Sequence, residues 1–151
     1  MFDILIFLFE SYFDVGIFPA PEKLTVKLSA AGFAEHDITQ AVSWLSGLQQ
    51  LSLVDYPSTI NHTGPRCFAE LEKQLICIDG LRFITFWEQN KVISPIEREM
   101  IIDRVLVLGH EDLSLDKIKL ITLMVLWNQH DDLDFMLMED LLSPIRPALA
   151  H

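Results

Sequence analysis

The sequence has little of what most catalysts and nucleic-acid readers are built from. Its six glycines fall in no phosphate-cradling pattern, and there is no GxSxG elbow, Walker loop or GxGxxG turn. The usual frames for acyl transfer and nucleotide binding are therefore missing, and no catalytic residue, cofactor or metal is expected. Two cysteines, Cys67 and Cys77, are too few for a disulfide framework, so the expected setting is a reducing cytoplasm. The apolar run from Ile4 to Phe9 is too short to cross a bilayer and follows no basic segment. It is read as part of a buried first helix rather than as a leader or anchor. Basic residues are scarce: 11 Lys and Arg face 22 Asp and Glu, and none lies between Lys27 and Arg66.

What the chain does have is apolar material and negative charge. Half of its 151 residues are hydrophobic, enough for one well-buried core, and the formal charge of −11 divides into −5 over residues 1–65 and −6 over the rest. Such a chain repels phosphate backbones and anionic membranes, and favours proteins, cations and apolar groups as partners.

Periodicity predicts a mostly α-helical protein. Helices are expected over 2–13, Glu22 to Ala31 and Glu35 to about Leu48; the last has an apolar stripe of Ile38, Ala41, Val42, Leu45 and Leu48. Gly32 is expected just beyond a helix end, with Phe33 plugging the turn. LSLVDY, Leu51 to Tyr56, alternates like a short strand or wing. These parts make a winged-helix-like lobe over residues 1–60. A connector over 57–65 leads to a helical lobe over 66–151, and the two are expected to pack as one compact unit. A long helix is expected from about Ala69 to Lys91, with a kink or break at Gly80. Ser94-Pro95-Ile96-Glu97 predicts a capped helix start, LITLMVLW (120–127) a central helix, and DDLDFMLMEDLL (131–142) an amphipathic one.

The stretch Leu28 to Leu45 has the rhythm of a helix-turn-helix, which reads DNA by placing its second helix in the major groove beside cationic flanks. Here the exposed positions are Glu35, His36, Asp37, Thr39, Gln40, Ser43 and Gln49. Only glutamine is a base reader among them, and the cations that supply non-specific affinity are absent. The motif is read as a fold unit and docking surface, with direct nucleic-acid binding as the alternative. That alternative requires Lys23, Lys27, Lys117 and Lys119 to assemble one basic surface.

MFDILIFLFESYF, LSAAGFAEHDITQAVSWL, Arg66-Cys67-Phe68, REMIIDRVLVL and LDKIKLITLMVLWN, in that order, together resemble the bacterial Smg family (DUF494). The resemblance implies a small cytoplasmic protein of undefined function, often encoded near topoisomerase I and near DNA-processing or translation-maturation proteins. It supplies no catalytic residues. The chain departs from the family pattern in having Cys67 at an expected aliphatic position and a short connector.

Candidate sites follow from charge and pattern. Phe135, Met138 and Leu142, flanked by Asp131, Asp132, Asp134, Glu139 and Asp140, form an apolar face with acidic borders. Such a face suits a basic protein partner; Gln40 and Trp44 extend this surface to the helix-turn-helix. Arg66, Phe68, Arg98 and Arg104 are candidates for an interlobe or partner clamp, with ordinary ion pairs such as Arg98 to Asp103 or Glu97 to Arg104 preferred. The clusters His110-Glu111-Asp112 and His130-Asp131-Asp132 are read as helix-end residues rather than metal ligands. Replacing Phe135 and Met138 by polar residues is expected to abolish partner capture while leaving the thermal unfolding midpoint unchanged; a collapsed fold would make the stripe core.

Overall fold

A computed structural model describes residues 2–12, 20–51, 70–109 and 113–130. Among them are seven α-helices: α1 (Phe2–Tyr12), α2 (Leu24–Ala30) preceded by a 3-10 turn (Pro21–Lys23), α3 (Glu35–Leu51), α4 (Glu70–Leu75), α5 (Ile78–Gln89), α6 (Pro95–Leu108) and α7 (Leu115–Gln129). The protein is mostly helical, as its periodicity predicts. Leu51 closes α3, three residues beyond the expected end at Leu48, and the rest of the expected wing lies outside the described residues. The described residues contain no strand, only an isolated parallel bridge between Ile76 and Leu113.

α2 ends for a local reason. Gly32 takes a φ of 96°, which lets its amide reach Ser29 O at 3.1 Å and turns the chain out of α2. Phe33 then folds back onto Phe7, ring centroids 5.4 Å apart and nearly perpendicular. On α3 the buried set is Ile38, Ala41, Trp44, Leu45 and Leu48. Trp44 takes the place that the pattern gave to Val42, which is only half-buried.

The expected helix over 69–91 is two helices, and the break falls at Ile76-Cys77 rather than at Gly80. Ile76 and Cys77 leave the helix to pair with Leu113, whose amide donates to Leu75 O at 3.0 Å and whose carbonyl accepts from Cys77 N at 3.4 Å. Cys77 then caps α5, its Sγ accepting from Gly80 N at 3.3 Å. Gly80 is a packing requirement instead of a hinge: a Cβ there would press on Ile76 Cγ2 at 2.9 Å and Ile118 Cγ1 at 3.1 Å.

The capping box at Ser94 forms as expected. Ser94 Oγ accepts from Glu97 N at 3.1 Å and Glu97 Oε1 accepts from Ser94 N at 2.9 Å. Gly109, φ 64°, ends α6. On α7 every residue from Leu120 to Trp127 is buried, since the helix packs against α1, α3, α5 and α6. Burying each large side chain there contributes about 1.5–3 kcal/mol. Residues from both halves of the chain meet in one core; Phe9 of α1, for example, meets the Trp127 ring edge-on at 5.3 Å. The described helices of the two expected lobes thus share an interior.

Lys91 is the one non-glycine residue at positive φ (60°) among the described residues, in the turn where its own amide donates to Glu88 O at 3.0 Å. A side chain in this left-handed region costs about 1 kcal/mol. Lys91→Gly is expected to raise stability by about that amount, seen as a higher urea midpoint at unchanged slope.

A candidate docking groove between α3 and α6

Gly47 is a helix-interior glycine in an otherwise good helix, a position that costs about 1 kcal/mol unless packing needs it. Packing does need it here. The guanidinium of Arg104, on α6, lies where a Cβ of Gly47 would project. Its Nη1 donates to Trp44 O at 3.0 Å, and Trp44 Nε1 donates in return to Arg104 O at 3.1 Å. Both bonds are buried. Nε and Nη2 of Arg104 donate to Asp103 Oδ2 at 3.1 and 2.8 Å, which neutralises the charge.

Over this lock runs a groove of about 430 Å³. Phe2, Trp44, Val107 and Leu108 supply apolar lining, and Asp37, Gln40 and Ser43 a polar wall on α3. Asp37 is the charged member of the lining. The C-terminal end of α6 adds the partial negative charge of its last carbonyls. Val107, 58% exposed, stands unburied at the lip. The arrangement suits the aliphatic stem and cationic head of a basic side chain, and contains no nucleophile paired with a base.

The structure corrects several sequence-based assignments. Trp44 does not project toward a partner: it is 2% exposed and lines the groove from beneath, while Gln40 is exposed on the wall. Arg98 is tied inside the second half of the chain, to Glu88 Oε2 at 2.5 Å and Glu99 Oε2 at 2.7 Å, and is offered to neither lobe nor partner as a clamp. Arg104 does join the two halves, from within, through Trp44. Neither of the expected pairs, Arg98 with Asp103 or Glu97 with Arg104, forms. Glu97 is held by His130 Nε2 at 2.7 Å, which fastens the end of α7 to the start of α6. For the two arginines the cause is shared: a chain with twice as many acids as bases supplies each buried cation with a nearer carboxylate.

Arg66, Phe68, Asp131, Asp132, Asp134, Phe135, Met138, Glu139, Asp140 and Leu142 lie outside the described residues, as does His110-Glu111-Asp112. Among the described residues no three His, Cys, Asp or Glu side chains are placed to hold a metal, and no helix is long and apolar enough to cross a membrane. Direct nucleic-acid binding would require Lys23, Lys27, Lys117 and Lys119 on one surface. Lys27 sits over the Tyr12 ring at 4.1 Å and Lys117 over the Phe2 ring at 5.1 Å, at opposite ends of α1. That separation is about 15 Å along the helix. Sequence reasoning missed Phe2, Val107 and Gly47; only the mid-helix glycine carried a readable signal.

Fold and groove together define a class: an all-helical domain, among the described residues, with an apolar groove that has Asp37 on its wall. The chain belongs to the family described as "Protein of unknown function (DUF494)", which it matches over residues 1–151. It is 37% identical over 150 residues to the "Protein Smg homolog" of Methylobacillus flagellatus, covering 99% of both chains. It is 41% identical to that of Chromobacterium violaceum over 145 residues (96% of this chain, 95% of the relative). With that of Nitrosomonas europaea it shares 42% over 142 residues, 93% of each chain. No solved structure matches the chain.

A double-mutant cycle tests the lock. Gly47→Ala displaces the guanidinium and its buried charge-assisted bonds, and is expected to destabilise by about 1–2 kcal/mol net of the helix-propensity gain. In an Arg104→Met background the same change is expected to stabilise by up to about 1 kcal/mol, a reversal of sign readable by urea denaturation.

Proposed function

We propose that this protein is a non-enzymatic, cytoplasmic interaction module, with a winged-helix-like first lobe, that docks a basic segment of a protein handling nucleic acid. The observation that carries this reading is the groove between α3 and α6. It has apolar walls, Asp37 at its side and a helix C-terminus at its end. A net charge of −11 steers basic partners toward it. The acidic and apolar segment 131–142 offers the same chemistry in sequence and is assigned to the same partner. By the gene neighbourhood that the family resemblance implies, topoisomerase, DNA-processing and translation-related proteins are the partners to try first.

The helix-turn-helix in this reading positions a surface. Its second helix, α3, carries Glu35 and Asp37 in its first turn, where a DNA reader needs donors and cations.

The test uses the full chain and a fluorescent amphipathic peptide with leucines at helical spacing and lysine flanks. Asp37→Lys and Val107→Lys, both on non-core side chains, are each expected to weaken binding about tenfold, with affinity falling as salt rises through the physiological range. Duplex DNA is expected not to compete. Tight DNA binding that is lost on Gln40→Ala would overturn the reading and give the helix-turn-helix its direct role.

A further inference from the structure

α5 carries a second surface of the opposite polarity. Its inward residues Gly80, Ile84 and Trp87 are buried. Its outward face shows two rows at helical spacing, Ile78, Arg82, Phe86 and Leu81, Thr85, Gln89, which line a shallow groove of about 330 Å³. Ile78 is 65% and Phe86 62% exposed. The surface continues past the helix end, since Thr85 and Gln89 also line a neighbouring cleft with Lys91 and Val92.

The two rows hold no acid. Arg82 is the charged residue of the rows, and Lys91 follows at the helix end. Of the acids on α5, Asp79 stands at the first turn, while Glu88 is turned to Arg98. Two cations, Arg82 and Lys91, thus flank an apolar strip on a chain of net charge −11.

We infer that the outward face of α5 docks an acidic amphipathic segment of a partner protein. Its apolar residues would cover Ile78, Leu81 and Phe86, and its carboxylates would meet Arg82 and Lys91. Charge complementarity selects this occupant. A second copy pairing antiparallel, with Ile78 on Phe86, would set Arg82 against Arg82. A nucleic-acid strand would find few cations, and beside Phe86 the aliphatic Ile78, Leu81 and Val92 instead of the stacked aromatic faces that such strands use. This surface is separate from the α3–α6 groove and stands without it.

The experiment measures binding of three probes to the full chain. They are an amphipathic peptide with glutamate flanks, its lysine-flanked counterpart, and single-stranded oligothymidylate. Arg82→Glu is expected to weaken the glutamate peptide about tenfold, and Phe86→Ser likewise, with the lysine peptide unaffected by either. Asp37→Lys should leave the glutamate peptide unweakened, so failure here and failure of the α3–α6 reading appear in different probes. Should Phe86→Ser lower the melting temperature, the fully surface change Arg82→Glu decides. Equal affinity for the glutamate and lysine peptides in the Arg82→Glu protein and the wild type overturns the inference. Displacement of the glutamate peptide by oligothymidylate overturns it as well, and makes the face a nucleic-acid site.

Discussion

The exchange of hydrogen bonds between Trp44 and Arg104 is the contact on which the other features depend. Each side chain donates to the other's backbone carbonyl, so α3 and α6 are tied at a set height and rotation. A guanidinium can be buried only if its N–H groups find acceptors and its charge finds a carboxylate. Trp44 O and Asp103 meet that need, and Gly47 leaves the room. With α3 and α6 held at that spacing, Val107 stands over an indole floor and a groove exists. A longer side chain at position 47 would push the helices apart at the same place.

Charge is distributed to the same end. The cations that enter the interior, Arg98 and Arg104, are answered by Glu88, Glu99 and Asp103, and Glu97 holds both the cap of α6 and His130 at the end of α7. The acids left over give the surface its sign. On α5, Glu88 is engaged with Arg98, and the outward rows carry Arg82 as their charged residue.

A helix-turn-helix is a way of packing two helices about a turn before it is a way of reading DNA. Gly32 and Phe33 make the turn, and the apolar stripe of α3 makes the packing. Neither depends on what the outer face carries. Here that face carries acids, glutamine and serine, and the packing is intact.

Much of the fold was legible in the sequence. The period of apolar residues located α1, α2, α3, α6 and α7; Ser94 to Glu97 spelled a capping box; Gly32 and Gly109 marked helix ends. These are local rules, set within about four residues of backbone, and the sequence by itself determined them. It also determined the negative sign of the surface. Only tertiary structure decided what depends on distant residues. The break at Ile76-Cys77 exists because Leu113 competes for those backbone groups. Gly80 and Gly47 are glycines because Ile118 and Arg104 occupy their space. Trp44 is buried because Arg104 stands 60 residues away to receive its N–H. Periodicity reports which side of a helix is apolar; it carries no record of which partner arrives there, and the partner sets both the burial of a side chain and the shape of the groove it leaves.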